Sequence, residues 1–197
     1  MAEDQMDTAY HLNGGLSAEE FERLEFQHNV LVTITGKLLP PKILSTLSAS
    51  ARIADIGTGT GIWLRDMASL LREPHPDEAP ETKASFVGFD IDVNKFPTPG
   101  ALGSDVILEQ HDVTRPFNKE YQQSFDLVHV RLMLFALPTT VWTAAIKNLR
   151  DLVKPGGWLF VEETGYSTFV TLPPSRMYNR WLEMDMKFAT TKGRSLT

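Results

Sequence analysis

Apolar positions along this chain alternate between two periods. Phe21, Leu24 and Leu31 recur at helical spacing with His28 in the same stripe, which predicts an amphipathic helix. Ser17 and Glu20 form a capping box before it, and Leu16 can staple onto Phe21. A second short helical stretch covers 38–47. Four apolar runs then read as strands: one at 53–56, one at 84–91, one at 105–113 and one at 125–137, the last running into a loop. Between the first two, Ile62, Leu64, Met67, Leu70 and Leu71 mark a helix to about Arg72. Pro138 starts another, with Val141, Trp142, Ala145, Ile146, Leu149 and Leu152 on its stripe. Lys154-Pro155-Gly156-Gly157 stops it, and 158–163 forms a fifth strand. A last helix follows Pro173-Pro174-Ser175, with Met177, Trp181, Met184 and Phe188 spaced by four, three and four. Strands alternating with helices predict βαβ units, right-handed crossovers and a parallel sheet, hence an α/β fold.

Composition narrows the class. The chain has 197 residues, which suggests one domain, 16–197, behind a loose arm at 1–15. Within it we expect a helical cap over 16–50, a core over 51–165 and a C-terminal helix over 173–191; the acidic, proline-rich stretch 73–83 reads as a solvated loop. A formal charge of −6 without a Lys/Arg cluster argues against nucleic acid as a partner. With no cysteine, disulfides, thiolate nucleophiles and Cys-based zinc sites are excluded. The polar N-terminus has no apolar leader, and no window is long enough for a membrane span, so a cytoplasmic location is the expectation.

The chemistry centres on Asp55-Ile56-Gly57-Thr58-Gly59-Thr60-Gly61, between the first strand and its helix. Glycines at such a turn let a ligand approach the backbone closely. The third glycine of a dinucleotide fingerprint would fall at 62, which is Ile62, and this counts against an NAD-binding fold. Asp55, two residues before Gly57, suits a ligand carrying an ammonium and a sulfonium better than a pyrophosphate. Two further acids, Asp90 and Asp112, close the second and third strands at the edge where an open α/β sheet places ligands. Asp92 reads as a loop acid.

This motif resembles the first motif of class I S-adenosylmethionine-dependent methyltransferases, and the resemblance extends over nearly the whole chain. It is closest to the fungal methyltransferases of secondary metabolism, a group of small-molecule enzymes and regulatory proteins. Their N-terminal helix carries a pattern like Glu22-Arg23-Leu24 followed by Gln27-His28. Their fourth-strand motif is similar to Phe125-Asp126-Leu127-Val128-His129-Val130-Arg131. Their fifth is similar to Asn148-Leu149 through Lys154-Pro155-Gly156-Gly157-Trp158 to Glu162-Glu163. The resemblance implies a Rossmann-like, doubly wound, mostly parallel sheet of order 3-2-1-4-5-7-6. Here the order would be 3-2-1-4-5, because no residues remain for strands 6 and 7. It implies S-adenosylmethionine (SAM) as cofactor, S-adenosylhomocysteine as product, and a small-molecule acceptor methylated on oxygen or nitrogen. Asp55, Gly57 and Thr58 would face the methionine end, while Gly59 and Gly61 give close approach. Asp90 with Ile91 would take the ribose, Asp112 and Val113 the adenine. Val130 and Arg131 would lie near the methionine, and Tyr10 with Gln27-His28 would close the cofactor from above.

His28, His129 and Glu163 are the candidates for a general base. His28 is either ligand-facing or a hydrogen-bonded semi-buried histidine; His129 is either a core histidine or a site residue. No Asn-Pro-Pro-Tyr-type tetrad follows the fourth strand, against methylation of adenine or glutamine amino groups, and no carboxylate and histidine set suggests a metal. The short C-terminus leaves two alternatives open. One is a protein that binds SAM or its product without methylating, as scaffold or regulator; the other is a cyclase or isomerase using the same pocket. It also predicts a homodimer or partner chain over the exposed fifth strand and the Met177/Trp181/Met184/Phe188 stripe.

Overall fold

The computed structural model describes residues 18–71, 83–134, 136–164 and 171–194. The capping residues Leu16 and Ser17, the arm with Tyr10, and most of the 73–83 loop lie outside them. Helix α1 spans Ala18–Thr35 and α2 Pro41–Leu44, a single turn where a longer helix is expected. Then come β1 (Arg52–Ile56), α3 (Ile62–Leu71), β2 (Ser85–Asp90), β3 (Val106–Gln110), β4 (Phe125–Arg131), α4 (Trp142–Leu152), β5 (Val153–Glu162) and α5 (Arg176–Thr191).

The five strands form one all-parallel sheet in the order β3-β2-β1-β4-β5, the expected order. A parallel sheet must be covered on both faces, and alternation along the strands supplies two cores. On one face Ile53, Phe86 and Leu127 pack with Leu39, Ile43, Trp63, Leu64 and Met67 under α3 and α2. On the other, Ala54, Ile56, Val87, Val128 and Val130 meet Ala145, Leu149 and Leu152 of α4. Two crossovers depart from simple alternation. The connections from β2 to β3 and from β3 to β4 hold only 3-10 turns, Val93–Lys95 and Lys119–Tyr121, and no α-helix.

Three boundaries are corrected. β3 stops at Gln110, because the Asp112 carboxylate accepts the Thr114 N–H at 2.9 Å and folds the chain into a turn. β4 ends at Arg131, and Leu132 turns to a φ of 57°. β5 begins at Val153 rather than at 158, so Lys154-Pro155-Gly156-Gly157 lies inside the strand. α4 ends at Leu152, with the next residue already extended. The ladder pairs Phe125 with Val153, then Leu127 with Trp158, and the surplus residues of β5 bulge out with Gly156 at a φ of 83°.

α5 also departs from a core helix. Ser175 caps its N-terminus by accepting the Tyr178 N–H, yet Met177 is 83% and Met184 64% exposed, and only Ala189 of the helix is buried. No helix among the described residues is long and apolar enough to cross a membrane.

Candidate functional site

The turn after β1 is fastened to its neighbours by backbone and side chain. The N–H groups of Gly57 and Thr58 donate to the carbonyl of Phe89 in β2, at 2.8 and 3.0 Å. The Gly59 N–H donates to Asp90 Oδ2 at 2.8 Å, and the Asp92 N–H to Asp90 Oδ1 at 3.0 Å. Asp90, the last residue of β2, is therefore a buried carboxylate gripping the turn, with Lys95 Nζ 3.9 Å away. Gly57 has a φ of 70°, and a Cβ there would stand 2.9 Å from the Met133 sulfur. The left-handed φ, more than the contact with a flexible Met side chain, is what favours glycine here.

Asp55 lies beneath the turn. Thr58 Oγ1 donates to its Oδ2 at 2.8 Å, and His129 Nδ1 meets its Oδ1 at 2.7 Å. The other ring nitrogen of His129 faces Glu162 Oε2 at 2.9 Å. Trp63 of α3 stacks on the imidazole, with centroids 3.8 Å apart and planes inclined by 13°. Burial disfavours charge on His129, but hydrogen bonds to Asp55 and then Glu162 outweigh it and raise its pKa above the ordinary value.

A second polar cluster ties α1 to this edge. His28 Nε2 meets Asp66 Oδ2 of α3 at 3.0 Å, and the Arg131 guanidinium reaches His28 Nδ1 at 3.1 Å. A donor on Nδ1 makes this the neutral tautomer with its proton on Nε2. Its pKa is lowered, first by burial, against the pull of the Asp66 hydrogen bond and with help from the Arg131 charge. Thr60 Oγ1 donates to Glu25 Oε1 at 3.3 Å, and Leu24 lies 3.7 Å from where a Gly59 Cβ would be. α1 thus lies over the glycine turn, with Gln27 and His28 on its way past β4.

At the far side, Glu163 follows β5. Its Oε1 accepts the N–H groups of Met133 and Leu134 at 2.6 and 3.1 Å. Burial raises its pKa, and the two backbone donors only partly oppose this.

The sequence candidates are thus brought together unevenly. Asp55, Gly57, Thr58, Gly59, Gly61 and Asp90 form one hydrogen-bonded unit. Ile91 and Asp112 stand just past β2 and β3. Val113 is buried, its carbonyl accepting from Asn148 Nδ2 at 2.9 Å. Val130 packs in the α4-side core while Arg131 turns to His28. Tyr10 lies outside the described residues. Sequence reasoning missed Glu162, Asp66, Trp63 and Met133. Strand parity was the available signal for Glu162, since it shares a face with Phe160, the residue paired with His129.

Comparison with known proteins gives one family. A family model described as a methyltransferase domain matches residues 26–195. Methyltransferase grgD of a Penicillium species is 34% identical, over 99% of this chain and 66% of grgD. N-methyltransferase gliN of Aspergillus fumigatus is 32% identical, over 72% of this chain and 46% of gliN. The chain therefore spans about two thirds of grgD's length and about half of gliN's. A TehB-like SAM-dependent methyltransferase from Corynebacterium glutamicum has a TM-score of 0.51 at 15% identity, covering 74% of this chain and 73% of that one, and so shares the fold. A parallel 3-2-1-4-5 sheet, a glycine turn gripped by an acid from the next strand, and a family match over most of the length agree: this chain belongs to the methyltransferase-domain family.

Proposed function

We propose that the chain binds SAM at the carboxyl edge of β1, β2 and β4 and transfers its methyl group to oxygen or nitrogen of a small molecule of secondary metabolism. The observation that carries this reading is the glycine turn held against the buried Asp90 carboxylate. The names of the fungal relatives support the reaction class. SAM, when bound, supplies an electrophilic methyl group on a sulfonium leaving group.

The residues present fit such a cofactor. Gly57, Gly59 and Gly61 leave the backbone open to close approach. Asp90, with Ile91, would accept from the ribose hydroxyls, a role that a carboxylate at this strand end can add to its grip on the turn. Asp112 would accept from the adenine amino group and the Val113 N–H would donate to the ring. Asp55, Thr58, Val130 and Arg131 would border the methionine end, and Gln27 and His28, with Tyr10 from the arm, would cover it. Alignment of donor and acceptor by these groups can supply about 7–11 kcal/mol of the barrier.

Of the three candidate bases, geometry favours Glu163. His129 has a carboxylate on each ring nitrogen, and both nitrogens of His28 are engaged. Glu163 is held by the backbone of Met133, whose side-chain sulfur lies against Gly57. Its raised pKa strengthens it as a proton acceptor. Removing it as Glu163→Gln should lower kcat about 10²–10⁴-fold on a hydroxyl acceptor while SAM still binds. Calorimetry with SAM, S-adenosylhomocysteine and NAD, together with labelled SAM in extract, tests the whole reading. Tighter binding of NAD than of either SAM form would refute it. Transfer of label to protein alone would remove the small-molecule acceptor.

A homodimer is the proposed assembly, supported by the β5 edge and by the exposed Met177, Met184 and Phe188 of α5. Light scattering at micromolar concentration tests it, and a clean monomer refutes it.

A further inference from the structure

Three side chains from three adjacent strands, Asp55 of β1, His129 of β4 and Glu162 of β5, line up under the glycine turn with no solvent gap between them. A neutral imidazole has one N–H and one lone pair, so against two carboxylates it would turn that lone pair on one of them. An imidazolium donates to both. One positive charge between two negative ones leaves a single negative charge, with Trp63 stacked on the ring, Phe160 5.5 Å away and Glu162 at the solvent edge with its side chain 23% exposed. The next cation on this face is Arg131, two residues along β4. It is turned to His28 of α1, which in turn meets Asp66 of α3.

We infer that His129 is a positioning residue: a cationic imidazolium clamped by Glu162 that fixes the Asp55 carboxylate, and through Thr58 the glycine turn, in the shape that receives the methyl donor. The mechanical path is short. Asp55 Oδ1 is held by His129, which leaves Oδ2 aimed at the Thr58 hydroxyl, and Thr58 is the second residue of the turn. Losing the ring proton puts a lone pair against a carboxylate, and Asp55 or Glu162 must then swing away or take up a proton. The effect on donor binding rests on the SAM reading above. The charge state of the clamp does not.

The test is an imidazole proton and carbon NMR titration of the full chain, which has five histidines, with His129→Asn identifying the His129 signal. The expected midpoint lies above the ordinary 6.5, and a midpoint at or below it overturns the inference. SAM affinity measured by calorimetry over the same range should weaken on the order of tenfold as His129 loses its proton. Affinity unchanged through that midpoint overturns the positioning role. Glu162→Gln preserves the fold, because glutamine can donate to Nε2 while a neutral ring still donates Nδ1–H to Asp55. In that variant both the midpoint and the alkaline loss of affinity should move to lower pH. A midpoint left in place overturns the part assigned to Glu162. A purely structural contact would lower the melting temperature without moving either pH. A raised midpoint with no SAM binding at any pH would refute the donor-site reading while supporting the clamp.

Discussion

Asp90→Ala removes one carboxylate that the structure uses twice. Without ligand, it leaves the Gly59 N–H buried with no acceptor and takes the partner from the half-buried Asp92 N–H. Bonds to a charged acceptor are worth about 1.5–3 kcal/mol and an orphaned buried donor costs about 1–3. The two losses overlap, so the expected cost in stability is about 2–4 kcal/mol. For a domain of this size that is a fall in melting temperature of roughly 4–16 °C. With SAM, the same change removes the acceptor for two ribose hydroxyls and should weaken affinity roughly 30- to 1000-fold. Thermal melts and calorimetry read the two effects separately. Asp92→Ala is the control: Asp92 caps a three-residue turn by accepting from the Asn94 N–H, so SAM affinity should hardly change. The reasoning fails if Asp90→Ala melts within about 1 °C of the parent, or if Asp92→Ala costs more affinity.

Gly88→Ala should destabilise the chain by about 1–3 kcal/mol in urea denaturation through overpacking, because its Cβ would stand 2.6 Å from Leu108 Cδ2 and 2.8 Å from Thr58 Oγ1. The lowered pKa of His28 predicts an acid-side effect. The unfolded chain takes up the proton first, so this contribution is complete above the unfolded value of about 6.5 and is lost as pH falls through the folded value. His28→Gln, which can still donate to Asp66 and accept from Arg131, should flatten the acid-side loss in denaturation curves taken at stepped pH.

The sheet was legible because its central strands β1, β2 and β4 are buried on both faces and read as apolar runs; the order of the strands came with the family resemblance. The two helix-free crossovers were not, since irregular connections with one short 3-10 turn each leave no periodic signal. The Asp55, Gly57 and Asp90 positions were legible as types at strand ends. Their partnership was not, because hydrogen bonds across strands depend on register. Glu162 shows the difficulty most clearly. The residues bulged between Val153 and Trp158 break any register counted from the end of α4, so the pairing of Phe160 with His129, which puts Glu162 on the same face within reach of the ring, is fixed only by the ladder. α5 misled for another reason: amphipathic spacing says that a face wants cover but not which surface supplies it.

That bulge also divides the labour along β5. Its surplus residues sit at the amino end, where Asp126 accepts from Lys154 Nζ and from the Arg52 backbone N–H. From Trp158 onward, β5 pairs with β4 one for one through Glu162. The irregular loop works as slack in a belt: length can be gained or lost there while the far end keeps its phase. An insertion or deletion within 154–157 would change the loop's size without turning Glu162 away from His129. A one-residue deletion after Trp158 would rotate Glu162 to the opposite face and put Glu163 in its place, and a one-residue insertion would put Val161 there. Related chains can thus vary freely in length at one end of this strand and hardly at all at the other.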